Sequence, residues 1–400
     1  MDVVLLEGIG AILRWLHVIA GIAWIGSSFY FIHLDLSLKP RPESKDRDSD
    51  GEPQREAWQV HGGGFYNMVK YVVAPARLPA ELTWFKWEAY VTWLSGMALL
   101  AVVYYLGASL FLIDATVLDL TQGEAVAISL AGLLVPWLAY EGLCRSPLGR
   151  HELALSLLGY AFLIALTYGF VHVFGGRGAF VQIGALIGTI MVANVFVVII
   201  PNQKKIVADL IASRVPDAAL GEQGKQRSVH NNYLTLPVVF LMVSNHYPLF
   251  FATQYNWLIV AIVLMVGPLI RHFFNSRHAG KGSPWWTWIA AALGMAAVLW
   301  LSMAGPRLTE ESAVPPATVS LAEAEDVILT RCSMCHAQAP VWDGIPAPPK
   351  GVRLDSPAEI AQHAHLIELQ AVRSNAMPPG NVTMMTAEER GILAAWLASR

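Results

Sequence analysis

Three residues in the run TRCSMCHAQAP, Cys332, Cys335 and His336, are equipped for redox or metal chemistry. The Cys-x-x-Cys-His order is the attachment signature of c-type haem. Two thiols one helical turn apart can add to the two vinyl groups of one porphyrin, and the adjacent histidine can then ligate the iron from the same side. A zinc site would need a second pair of ligands at similar spacing, and His363 and His365 fit that role poorly. A thioredoxin-like redox motif would need a βαβ pattern, which the surrounding sequence lacks. The second axial position falls to Met377 in NAMPPGN, where an extended Pro-Pro segment can present the thioether to the open face of the iron. His336/Met377 ligation would raise the haem potential. Met384 and Met385 compete for the same role.

The elements around this motif are those a small haem-binding domain needs. Ser320 and Glu323 form a capping box that opens a helix running into Cys332, and Thr386 with Glu389 opens the last helix. That helix carries Leu393, Trp396 and Leu397 on one face. The region 321–400 resembles a small class I cytochrome c. Because c-haems are attached outside the cytoplasm, the resemblance also implies an extracytoplasmic compartment.

The rest of the chain is of a different kind. Of 400 residues, 55% are hydrophobic and only 14% charged, against about 25% charged for an ordinary soluble domain. The net charge of −3 gives no indication of nucleic-acid binding, and three cysteines make no disulfide framework. Eight apolar segments approach the roughly 20 residues that span a bilayer, at about 10–36, 85–106, 125–143, 152–174, 180–200, 232–253, 256–275 and 285–304. The first is too long for a cleaved signal peptide and reads as a retained helix. Segments 38–86, 144–151, 201–231 and 271–284 carry 8, 2, 5 and 3 Lys plus Arg, whereas the opposite loops carry Arg177 alone. Basic loops stay in the cytoplasm, so both ends of the chain should face outward, to the periplasm of a Gram-negative cell. The expected organisation is all-α: an eight-helix membrane domain over 1–304, a Pro/Ala/Ser/Thr-rich linker over 305–320, and the cytochrome-like domain over 321–400.

Ionisable residues inside spanning helices are candidates for function. His17 lies within an apolar run, where a cofactor or substrate role competes with that of a satisfied core histidine. His172 and His246 lie near the outer boundary. His33, Asp35, Glu88, Glu141, His230, Asn231, Asn232, Arg271 and His272 lie toward the inner ends, where snorkelling explains many such groups. The stretch HGGGFYNMVKYVVAPARLPAELTWFKWEAY begins with three glycines, which permit close approach to a planar ligand or a tight re-entrant turn. An interfacial helix with a flexible hinge is the alternative.

LRWLHVIAGIAWIGSSFYFIHLDL, HGGGFYNMVKY, LPAELTWFKWEAY, IIPNQKKIVA and HNNYLTLPVVFLMVSNHYP together resemble the bacterial membrane-bound urate oxidases, also called urate hydroxylases. That family joins an eight-helix membrane domain to a C-terminal cytochrome c. The resemblance implies oxidation of urate to 5-hydroxyisourate, with electrons passing to haem c and onward to an acceptor such as a cytochrome oxidase, instead of reducing oxygen to peroxide. It also implies an enzyme of the bacterial inner membrane. The first helix further resembles that of haem-binding protoporphyrinogen-oxidising membrane proteins, which points to His17 as a haem b ligand, with His172 and His246 as the other candidates. For the urate anion, Lys70, Arg77 or Arg271 would supply the neutralising charge, and His61 or His230 would take a proton. Two other readings stay open. One is an electron-transfer subunit that docks to a respiratory oxidase without its own substrate. The other is a transporter, which would need internal repeats that the sequence does not display.

Overall fold

Long apolar stretches, capping motifs and glycine turns divide the chain into the elements seen in the computed structural model. It describes residues 3–41, 55–71, 79–306 and 319–400. Arg77 and most of the expected linker, 307–318, lie outside the described residues. The mostly helical chain begins with α1 (Val3–Ser37). A small sheet follows, made of β1 (Lys39–Pro40), β2 (Arg55–His61) and β3 (Gly64–Lys70). Next come α2 (Trp87–Leu99), which runs on as a π-helical stretch Leu100–Tyr105, the short α3 (Ala108–Phe111), α4 (Gln122–Arg145) and α5 (Glu152–Val171). Then α6 (Gly176–Ala193) passes through a second π-helical stretch, Asn194–Ile199, into α7 (Ile200–Ile211). The remaining helices of this part are α8 (Ala218–Ser244), the short α9 (Pro248–Phe251), α10 (Asn256–His278) and α11 (Trp286–Ser302).

Each of the eight expected apolar segments falls on one of these helices. Five of them, α1, α4, α5, α6 with its continuation, and α10, are long and apolar enough to cross a membrane, and α11 is apolar but shorter. Among them α6 is the axis. Phe180, Ile183, Leu186 and Ile187 are fully buried, and Gln182 satisfies its amide on Ser129 of α4. The outer helices are apolar on their exposed faces instead, as at Ile12 and Trp15 of α1, Leu134 of α4 and Leu293 of α11. Water would penalise such surfaces, whereas lipid would cover them.

Local sequence explains how the helices begin and how closely they pack. Thr121 and Glu124 exchange side-chain and backbone hydrogen bonds in a capping box that starts α4. Pro237 of α8 seats against Gly267 of α10, where a Cβ would overlap the proline ring. Small residues allow this close crossing where both surfaces are apolar. The crossing also sets Asn232 of α8 opposite Arg271 of α10.

The sheet corrects the all-α expectation for the glycine-rich stretch. β2 and β3 pair antiparallel from Arg55↔Lys70 to His61↔Gly64. Gly62 and Gly63 hold φ of +59° and +79° in the turn between them. A two-residue turn of that hand matches the twist of the strands, and glycine adopts it without strain. The glycines therefore make an exposed hairpin turn. Reading the segment by hydropathy alone missed the alternation in REAWQVH and GFYNMVK.

The C-terminal unit contains α12 (Leu321–Arg331), α13 (Ser333–His336), α14 (Pro357–Gln362), α15 (Ala364–Ile367) and α16 (Ala387–Ala398) around its own core of Ala324, Ile328, Ile360, Leu393 and Trp396. Both expected capping boxes are present. Arg331 fastens α12 to the start of α16 through Glu389 at 2.9 Å and the Thr383 carbonyl at 2.7 Å. The unit rests on the end of the bundle that carries α3, with Gly380 against the carbonyls of Ser109 and Ile113.

Candidate functional site

The seam between α1, α8 and α10 holds a buried cation with no counter-charge. Arg271 is 6% exposed. Its Nε donates to Asn232 Oδ1 and its Nη2 to Asn275 Oδ1, both at 3.2 Å, and Asn275 Nδ2 also donates to Asn232 Oδ1 at 2.9 Å. The guanidinium lies 3.8 Å over the Phe29 ring. Among the described residues no carboxylate pairs with it. Further along the same seam, His33 of α1 and His278 of α10 meet edge to face at 4.3 Å. Both Nδ1 atoms are buried and lack a hydrogen-bond partner, as does Asn232 Nδ2. Unpaired buried polar atoms are costly, and those of the seam are matched by Asn194 Oδ1, Arg227 Nε and Arg227 Nη1 in the network beside it. A cavity of about 490 Å³, lined by His33, Ser37 and residues 56–59 of β2, opens at the histidine end.

A second network braces α8 from the other side. Tyr140 of α4 lies 2.7 Å from His230 Nδ1 and accepts from Asn194 Nδ2 at 3.1 Å. Asn194 also donates to Asn231 Oδ1 at 2.9 Å. The Tyr140 hydroxyl thus links His230 to Asn194 in one hydrogen-bonded chain. Arg227, 3% exposed, pairs with Glu141 at 2.9 Å and lies over the Tyr140 ring. Asn194 occupies the first position of the π-helical stretch. Such a local widening of a helix often marks a functional position.

The other sequence candidates are dispersed. His61 ends β2 and is exposed, and Lys70 pairs with Asp35 of α1. His17 Nδ1 lies 2.9 Å from the Thr92 carbonyl, to which it can only donate, and 3.2 Å from Ser95 Oγ, with its ring against Gly96 of α2. His172 is exposed beside Tyr168, and His246 is exposed just past the end of α8. No contact joins these three histidines. The sequence reading named Arg271, His230, Asn231 and Asn232 but not their partners Phe29, Tyr140, Asn194 and Asn275, nor His278. Asn194 had a usable signal, being a lone amide in an apolar run. His278 fell just beyond the expected span.

A family model described as Urate oxidase N-terminal matches residues 3–302. The chain belongs to that family. No curated protein and no solved structure matches it. Membership in the urate oxidase N-terminal family indicates a urate-related, oxidoreductase function for residues 3–302. The match stops before the C-terminal unit, so the Cys-His motif stands on its own geometry.

Cys332 follows α12 and Cys335 lies within α13, which ends at His336. His336 Nδ1 lies 2.9 Å from the Val352 carbonyl, which fixes the ring and leaves Nε2 for a ligand. Burial pushes the Cys332 thiol up to about 12, and Cys335 up as well. Among the described residues no three His, Cys, Asp or Glu side chains form a metal-binding group. Met384 is 62% exposed and Met385 is packed into the core at 4%, which leaves Met377 as the half-buried thioether on the Pro378–Pro379 segment. Arg390 Nη1 holds that segment through the carbonyls of Ala371 (2.6 Å) and Met377 (3.0 Å). This donor set fits a covalently attached haem c.

Proposed function

We propose that the bundle oxidises urate to 5-hydroxyisourate and that the C-terminal unit carries the electrons away on a haem c, without forming hydrogen peroxide. The observation that carries this reading is Arg271, a buried guanidinium lacking a carboxylate in a member of a urate oxidase family. Urate is a planar purine monoanion. Arg271 supplies its counter-charge, and the unpaired Asn232 Nδ2 supplies a further donor. The reaction adds water and releases two protons and two electrons: urate + H2O → 5-hydroxyisourate + 2 H⁺ + 2 e⁻. His33 and His278, with open Nδ1 atoms, are better placed to take a proton than His230, whose Nδ1 already faces the Tyr140 hydroxyl. The cavity beside His33 gives urate its entrance at the hairpin end.

When bound, haem c accepts the electrons one at a time. Cys332 and Cys335 would hold it covalently, and His336 and Met377 would ligate its iron. The basic loops orient the hairpin end toward the cytoplasm and the C-terminal unit toward the periplasm of a bacterial cell. A downstream acceptor such as a cytochrome oxidase would then reoxidise the haem. Adding urate to the intact, haem-loaded protein without oxygen should reduce the c-haem, and in air turnover should generate no peroxide. If urate leaves the haem oxidised, the chain is better read as an electron-transfer subunit docking to a respiratory oxidase.

A further inference from the structure

The contact between the bundle and the C-terminal unit is built around one glycine. Gly380 has φ +56°, and a Cβ there would stand 2.5 Å from the Ile113 carbonyl oxygen and 2.8 Å from that of Ser109. Both conformation and space therefore demand glycine at this position. The same segment begins with Met377 and is held by Arg390. Across the junction, Asp114 of the bundle shares a cavity lining with Pro379 and Gly380. Asp114 is 8% exposed, and Oδ1 accepts from the Thr116 backbone N–H and hydroxyl. A second point of approach lies beside it, where Gly305 at the end of the bundle meets the Arg373 carbonyl. A cavity of about 100 Å³, lined by Phe111, Asp114 and Arg177 on one side and Asn375 and Pro379 on the other, fills the remaining gap. It has room for about three waters.

We propose that this junction is the electron hand-off between the two units: Gly380 seats the Met377 side of the haem-binding unit on the Ser109–Ile113 carbonyls, and the approach of Gly305 to the Arg373 carbonyl supports it beside that seat. The inference rests on the reading given under Proposed function. It assigns to α3 and the loop after it a role that neither the urate site nor the Cys-His motif supplies. Each turnover then requires two successive one-electron transfers across this contact, and an acceptor outside the chain reoxidises the iron between them.

The test uses full-length, haem-loaded protein and two variants. Gly380→Ala acts from the haem side and Asp114→Lys from the bundle side, where it puts a longer, cationic side chain into the cavity shared with Asn375 and Pro379. Gly344→Ala is the control, since Gly344 also has a positive φ of +78° but stands in open space. In both junction variants, covalent haem and the far-red thioether band should persist. Amides of residues 108–113 and 376–382 should exchange faster. Urate-driven haem reduction should slow at least about tenfold, the factor that follows each 1.4 kcal/mol lost from the docked pose. Urate oxidation with a dissolved artificial acceptor should continue. Gly344→Ala should behave as wild type in every measurement. If exchange reports separation and the haem is still reduced at the wild-type rate, or if exchange is unchanged, the junction assignment falls alone. If urate does not reduce even the wild-type haem, the assignment and the functional reading fall together.

Discussion

Arg227 and Arg271 are buried to a similar depth but are compensated differently, and the difference separates stability from binding. Arg227 shares the Glu141 carboxylate with Arg145, so removing it empties a buried place over the Tyr140 ring but leaves the carboxylate one cationic partner. Arg227→Ala should therefore destabilise the bundle by about 1–3 kcal/mol, seen as a lower melting temperature. Arg271 has two amides and a ring. Arg271→Gln should leave the melting temperature nearly unchanged and raise KM for urate about 10- to 100-fold, the worth of a hydrogen bond to a charged group. In the C-terminal unit, Cys332→Ala or Cys335→Ala should abolish haem that survives denaturing electrophoresis, while Cys144→Ala, buried beside Tyr140 and Arg227, should keep it. Met377→Ala should remove the far-red band and lower the midpoint potential, and Met384→Ala, at an exposed side chain, should change neither. The Cys-His motif was legible in the sequence because its chemistry is contiguous. The seam was only half legible: its residues come from three helices, and no local spacing links Phe29 to Asn232 or Arg271.

At the scale of elements, hydropathy located the long helices because apolar length is what a spanning segment requires, and the capping boxes marked true helix starts. The same measure failed for the hairpin, whose half-exposed strands alternate between faces and average to an unremarkable polarity. It also gave no sign of the π-helical stretches Leu100–Tyr105 and Asn194–Ile199, which add a residue to a turn without changing composition. The α12–α16 contact makes a testable element of its own. Burial disfavours the Glu389 carboxylate, but the Arg331 guanidinium and the Thr386 backbone N–H outweigh it and hold its pKa below the usual 4.5. A depressed carboxylate lends stability in full above its unfolded value and loses it as the pH falls through its folded one. Melting of the C-terminal unit, followed by its haem absorbance, should therefore weaken below about pH 4.5. Glu389→Gln should flatten that dependence, and an unaltered acid profile would show that the pair contributes nothing.

For the whole molecule, the important fact is that the two sites occupy opposite ends. The seam and its entrance adjoin the hairpin, whereas the C-terminal unit covers the end that carries α3. The family match covers residues 3–302, and the C-terminal unit meets the bundle at Gly380. On the function proposed above, the consequence is electrical. Electrons would leave the substrate near one face of the membrane and reach the iron beyond the other, while the protons stay behind. Catalysis would then carry net charge through the bilayer, and a resting potential that is negative inside would drive it forward. A full crossing is worth about 2.3 kcal/mol per electron for each 100 mV. In vesicles with the hairpin end inside, an inside-negative potential should speed urate-dependent haem reduction, and collapsing it with an ionophore should slow the reaction. A rate indifferent to voltage would place donor and acceptor at the same depth. On this arrangement the enzyme behaves as a small current source whose output depends on the charge state of the cell.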